Sequence, residues 1–142
     1  LRVLFDTNVL LDVLLDRDPF AEPAADLLSR AARREIQGFF CSTSVTTIFY
    51  LLQKNHRVSE SISHVRSLLA ILDVAPVHRG TLEAALDLEL PDFEDAVIVA
   101  AAIEIQIDLI VTRDPRGFQG GAIPIQSPKG AVAFFQSLAG TR

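Results

Sequence analysis

Short, wholly apolar runs alternate along this chain with longer stretches whose apolar residues return every three or four positions. The runs Val3-Leu4-Phe5, Phe39-Phe40-Cys41, Leu72-Asp73-Val74 and Leu109-Ile110-Val111 predict strands, the first and last of them buried on both faces. Between them, Val9, Leu10, Val13 and Leu14 predict a helix over residues 8–16, with Asp12 and Asp16 on its wetter side. Ala24, Leu27, Leu28 and Ala31 predict a second helix, and Val45, Ile48, Phe49, Leu51 and Leu52 a third that runs toward Lys54. A fourth covers residues 58–71 with Ile62, Val65, Leu68 and Leu69 inward, and a fifth passes through Leu82, Ala85 and Leu86. Ala96, Val97, Val99, Ala100 and Ile103 follow on a helix that begins near Asp92, and residues 131–138 form the last one. Strands alternating with helices predict a three-layer α/β/α domain with a mostly parallel central sheet, one domain over residues 1–142.

Proline, glycine and small polar residues punctuate this pattern. Pro19 and Pro23 mark the start of the second helix and Gly38 its end, while Ser42, Thr43 and Ser44 offer N-cap oxygens to the third. Pro76 closes the third strand and Pro91 stops the fifth helix. Residues 117–121 read as a flexible turn, and residues 122–125 as an edge strand because Pro124 lacks a ladder donor.

Composition narrows the function classes. At 142 residues the chain is large enough to bury a core without disulfides, and its single Cys41, behind two phenylalanines, reads as a buried thiol in a reducing compartment. No basic, apolar leader opens the chain and no apolar stretch reaches the roughly 20 residues that span a bilayer, so a soluble, cytoplasmic protein with no membrane partner is expected. Thirteen basic against eighteen acidic residues leave a net charge of −5. That balance argues against nucleic-acid binding by broad electrostatics, but not against a nuclease whose acids gather a cation.

The candidate chemistry is carboxylate chemistry. Asp6 and Asp114 follow apolar strands and therefore fall on the carboxyl rim of a parallel sheet; Asp92, Glu94 and Asp95 fall at the start of a helix that reaches the same rim. Asp92 and Asp95 share a helical face, whereas Glu94 points roughly 100° away from Asp95. Asp95 is preferred, with Asp92 as a supporting acid or cap and Glu94 retained if it lies on the groove wall. Each acid also has an ordinary use in capping or turn formation. Clustered carboxylates repel unless a cation resolves the conflict, and an all-oxygen set suits Mg2+ or Mn2+ better than zinc. Such an ion implies phosphodiester hydrolysis.

Thr7, Asn8 and Thr112 are short hydrogen-bonding side chains placed to orient those acids. Arg33, Arg34, Arg113 and Arg116 are candidate contacts for a backbone phosphate; a solvated helix end for the first pair, and an acid partner for Arg113, are the alternatives. His56, His64 and His78 lack ligand spacing and read as surface residues, and Gly117, Gly120 and Gly121 do not form a phosphate-binding loop.

Three motifs, Val3-Leu4-Phe5-Asp6-Thr7-Asn8, Asp92-Phe93-Glu94-Asp95-Ala96 and Ile110-Val111-Thr112-Arg113-Asp114, in this order and spacing, resemble the PIN-domain nucleases over nearly the whole chain. The resemblance implies a metal-dependent endoribonuclease with Asp6, Asp95 and Asp114 as catalytic, metal-binding carboxylates and Thr112 in support. It further implies kinship with VapC-like toxins, hence a cognate antitoxin and a homodimer. Two positions depart from the family pattern. Thr47 stands where relatives often carry another acid, as in a subgroup with the Asp-Phe-Glu-Asp signature, where Asp92 or Glu94 supplies the missing charge. Gly117 stands where some relatives are acidic. These departures keep open a catalytically weak or inactive PIN-like RNA-binding or regulatory scaffold. A small phosphatase is a further rival, with no phosphoenzyme motif behind it.

Overall fold

The structure, a computed structural model, describes residues 1–118 and 121–140. Five strands, β1 (Arg2–Phe5), β2 (Gln37–Cys41), β3 (Asp73–Ala75), β4 (Leu109–Val111) and β5 (Ile125–Gln126), form one sheet in the order β3-β2-β1-β4-β5. Every neighbouring pair is parallel, with Leu4 opposite both Phe39 and Ile110 at the centre. All strand ends therefore point one way. The chain leaves β1 toward β2 and later crosses to β4 on the other side, so the crevice between the ends of β1 and β4 is the topological switch point.

Seven helices cover the sheet: α1 (Thr7–Leu14), α2 (Ala21–Ala32), α3 (Ser42–Gln53), α4 (Val58–Ile71), α5 (Arg79–Asp87), α6 (Phe93–Glu104) and α7 (Pro128–Gly140). Strand side chains alternate between two cores, as the pleat requires. Val3, Phe5, Phe40, Leu109 and Val111 pack with α1, α2, α3, α4 and α7; Leu4, Phe39, Cys41 and Ile110 pack with α5 and α6. Residues Ala96 through Ala102 are all buried, because α6 lies between the sheet and α5 and has no solvent face along that stretch. The fold is thus the expected three-layer α/β/α arrangement with a parallel sheet. No helix among the described residues is long and apolar enough to cross a membrane.

Local readings shifted where packing overrode pattern. Gly38 lies inside β2 rather than ending α2; a Cβ there would collide with Leu72 and crowd Ala31 and Phe5. The helix ends earlier, and Arg34 takes the left-handed conformation at φ 62°. On α4, Leu68 is buried while Ile62 and Leu69 are exposed, and Ser61 takes an inward position by donating its hydroxyl to the Arg57 carbonyl. On α5, Leu82 and Leu86 face outward, and the smaller Thr81 and Ala85 pack inward. α3 begins at Ser42 with no side-chain cap; the Thr43 hydroxyl instead meets the Cys41 thiol, and the Ser44 hydroxyl bonds outside the helix. β3 begins one residue later than expected, and the edge strand β5 is shorter, at Ile125–Gln126. Of the expected turn over residues 117–121, Gly117 belongs to a 3-10 helix, Pro115–Phe118, and Gln119 and Gly120 lie outside the described residues.

Candidate active site

Asp6 is the first residue beyond β1 and the N-cap of α1. Its amide donates to the Val111 carbonyl at 2.9 Å, which extends the β1–β4 pairing by one residue and places its side chain at the switch point. The carboxylate accepts from the Thr7 amide at 2.8 Å and from the Thr112 hydroxyl at 2.7 Å. Thr112 Oγ1 in turn accepts from the Asp114 amide at 3.1 Å, so one buried hydroxyl links the ends of β1 and β4. The Thr7 hydroxyl, also buried, donates to Ser44 Oγ at 2.8 Å and ties α1 to α3.

Across the crevice, Asp92 caps α6 by accepting from the Asp95 amide at 3.2 Å, an arrangement that aims the first turn of α6 at the rim. Asp6, Asp92, Glu94, Asp95 and Asp114 consequently line one cavity of about 240 Å3, together with Thr7, Asn8 and Thr47. Glu94 lies on the wall, so all the acids considered from the sequence border the same space. Gly117 packs against Asp95: a Cβ at that position would run into the Asp95 carboxylate. A larger residue there would displace Asp95.

The cavity is electrostatically strained. Burial, then the charges of Asp92, Asp6, Glu94 and Asp114, push the Asp95 carboxyl up to about 7. Burial also raises Asp6, against the opposing bonds from Thr112 and Thr7, with Asp114 and Asp92 adding to the rise. Glu94 is raised by burial and by Asp92 and Asp6. Among the described residues, no ion pair relieves Asp6, Asp92, Glu94 or Asp95, and Asp114 meets only Arg116, at 3.8 Å with both side chains largely exposed.

An oxygen-only donor set with no basic partner matches the preference of Mg2+ or Mn2+. Among the described residues no three acidic, histidine or cysteine side chains form a ready-made metal-holding group. The fit is therefore to a hydrated ion held by one or two carboxylates through a partial water shell, for which the cavity has room, and not to a closed protein cage.

The other sequence candidates fall elsewhere. Arg33 and Arg34 precede β2 and border cavities with Leu1 and Asp73, the starts of β1 and β3, so they sit at the opposite edge of the sheet from the acids. Arg33 is moreover engaged by Glu35 at 2.9 Å. Neither can share a phosphate with the acidic cavity. Arg113 is not a free phosphate ligand either: its Nη2 donates to Asp12 Oδ1 at 3.2 Å, its Nε lies 2.6 Å from Asp12 Oδ2, and its guanidinium sits 4.1 Å from the centre of the Phe20 ring. Arg116, 87% exposed, keeps its reach. Asp12 itself is buried with no exposed surface, contrary to the wetter side expected for it, and takes a second contact from Arg17 at 3.6 Å. Sequence reasoning missed Ser44 and the role of Asp12, because their partners Thr7 and Arg113 are distant in the chain. His56 and His64 meet edge to face at 5.3 Å and His78 pairs with Glu104, all outside the acidic cavity.

Comparisons with known proteins agree with this architecture. The family model described as PIN domain matches residues 2–116. The chain belongs to the PIN domain family. Among solved structures, this PIN domain is similar to a chain of VapBC2 from Rickettsia felis bound to a DNA fragment from its promoter, at 14% identity and a TM-score of 0.68, covering 88% of this chain and 97% of that one. A toxin-antitoxin complex from Klebsiella pneumoniae gives 21% identity, a TM-score of 0.68, and 89% and 97% coverage. VapC20 from Mycobacterium tuberculosis, described as a Sarcin-Ricin loop cleaving toxin, gives 14% identity, a TM-score of 0.66, and 81% and 92% coverage. At these identities the likeness is one of fold. A search of curated proteins finds no match.

Proposed function

We propose that this chain, as a single PIN-like domain over residues 1–142, is a divalent-metal-dependent endoribonuclease and the toxin of a toxin-antitoxin pair. The observation that carries the reading is the gathering of Asp6, Asp92, Glu94, Asp95 and Asp114 around one cavity at the switch point, with no basic side chain among the described residues to neutralise the buried members. Asp6, Asp95 and Asp114 would hold a hydrated Mg2+ or Mn2+, one or two of them directly and the rest through its waters, with Asp92 and Glu94 adding negative charge in place of the acid that Thr47 lacks. The bound cation would supply an acidified water and charge neutralisation at the scissile phosphate. Thr112 orients the Asp6 carboxylate, and because its hydroxyl donates to that oxygen it works against the rise in pKa that burial causes. Thr7 holds α1 to α3 and so sets the cavity width, Asn8 stands exposed at its mouth, and Arg116 is the remaining basic side chain beside Asp114.

The partner side of the reading draws on the similar structures, several of which are toxin-antitoxin complexes. It comprises a cognate antitoxin, a homodimer and a cytoplasmic setting in which RNA is the substrate. The test is cleavage of a mixed RNA panel with Mg2+ or Mn2+, against EDTA and against Asp6→Asn. Metal-dependent products that vanish with EDTA and with Asp6→Asn support the proposal; equal products in all lanes, or none with the wild type, reject it. Thr47 on the cavity wall favours one second reading, a PIN-like RNA-binding or regulatory scaffold. RNA binding without cleavage under every metal would select it.

A further inference from the structure

The acidic cavity has a larger neighbour. A cavity of about 730 Å3, within the range of small-ligand sites, is lined by Pro19, Phe20, Pro23, Arg113, Lys129 and Val132, among others. Arg113 and Asp114 are consecutive, with Cα atoms about 3.8 Å apart, yet Arg113 borders this cavity and Asp114 the acidic one. Consecutive residues just beyond the end of β4 thus border the two cavities, one each.

The wall of the larger cavity at Arg113 is made of two planar groups. The Arg113 guanidinium is held to the fully buried Asp12 carboxylate by one hydrogen bond and an ion pair, and it lies over the Phe20 ring, while Phe20 stays 40% exposed. Aromatic rings and guanidinium planes of this kind are surfaces on which unstacked nucleobases settle. Pro19, Pro23, Pro128 and Val132 add apolar lining, and Ser127, Lys129 and Gln136 add polar groups. Two further lining residues are acids: Glu22 is exposed, and Asp26 is already paired with Arg30 at 2.8 Å. Such a mixture suits the π-face and edge of a base better than the charge of a phosphate.

We propose that this cavity is a nucleobase subsite: a base of the single-stranded RNA next to the scissile phosphate stacks on the Phe20–Arg113 pair while the phosphate lies at the carboxylates. The subsite rests on the ribonuclease reading above and adds to it a source of base preference. Arg113 then serves the reaction as a platform held by Asp12, not as a phosphate ligand.

The test uses random-sequence single-stranded oligoribonucleotides carrying 4-thiouridine. They are crosslinked to the full chain in EDTA, where no cleavage is needed for a signal, and the attached peptides are mapped. The same pool is then cleaved with Mn2+ under single-turnover conditions by the wild type, Phe20→Ala and Phe20→Tyr, and the product ends are sequenced. Crosslinks to residues 19–26 or 127–136 are expected, lost in Phe20→Ala and retained in Phe20→Tyr. In Phe20→Ala the RNA concentration for half-maximal rate rises roughly tenfold or more and the base preference beside the cut flattens. Should Phe20→Ala prove unstable by thermal melting, Phe20→Leu removes the ring while keeping apolar volume and carries the same comparison. Wild-type cleavage with unchanged behaviour in the ring-less variant, or crosslinks confined to other segments, overturns the subsite and leaves the ribonuclease reading standing; the cavity would then belong to a protein partner's side chain. A wild type that neither crosslinks nor cleaves overturns both.

Discussion

Asp6 caps the first helix and Asp12 lies within it, both buried, yet they belong to opposite electrostatic worlds. Asp12 meets Arg113 and Arg17, so its charge is matched where it lies. Asp6 meets hydroxyl and amide donors and a ring of other acids, and burial raises its pKa. A carboxylate taken out of water needs a counter-charge, and of these two only Asp12 receives one among the described residues. Burial alone therefore does not mark a functional acid; burial without a cation does.

The comparison breaks most sharply by removing one acid from each region. Asp95→Asn is expected to lower metal-dependent RNA turnover by about 10²–10³-fold while leaving the metal-free fold intact, as read by cleavage rates and urea denaturation. Asp12→Ala should do the reverse kind of damage. It strands a largely buried guanidinium and costs about 3 kcal/mol of stability in urea denaturation; an unaffected midpoint would show that Asp12 is not neutralised through Arg113. Thr112→Val removes the donor to Asp6 and the acceptor for the Asp114 amide, and roughly a 10–100-fold loss of metal affinity or turnover follows if it orients the site, measured by metal titration of cleavage.

Metal-free stability sharpens the same contrast. Asp95 holds its proton in the folded chain up to about 7, against an ordinary value of 3.8, so between those values the folded state binds more protons than the unfolded one. Stability is then present at low pH and lost as pH rises through that window, and Asp6 and Glu94 act with the same sign. The melting temperature in EDTA should be lower near pH 8 than near pH 5.5, Asp95→Asn should narrow the gap, and Mn2+ should raise the upper-pH value. A flat profile would remove the strain argument. The smallest effect belongs to the far edge of the sheet: Arg33→Ala and Arg34→Ala should leave turnover and its salt dependence unchanged, and a clear loss in either would overturn their placement away from the RNA.

The apolar runs around Leu4 and Ile110 could be read as central strands because burial on both faces leaves no polar alternation, and the acids after them inherited the rim from the rule that parallel strands end together. The helices α4 and α5 were legible as helices but not in orientation: an apolar residue every three or four positions leaves two faces open, and Leu82 and Leu86 lost to Thr81 and Ala85 at the packed surface. Arg33 and Arg34 looked like a phosphate patch because a basic cluster carries no address along the sheet. Pro-rich and acidic segments around Phe20 gave no hint of a cavity, since its walls come from α2, α7 and the turn after β4.

By itself the amino-acid order determined the alternation of strands and helices, the parallel sheet and the candidate acids, because these follow from local periodicity and from which residue stands at each strand end. Tertiary structure alone decided which acids are neutralised. Thr112 reaches Asp6 across 106 residues and Arg113 reaches Asp12 across 101. Charge compensation is a matter of distances of a few ångströms, and separation along the chain says nothing about those until the sheet has closed.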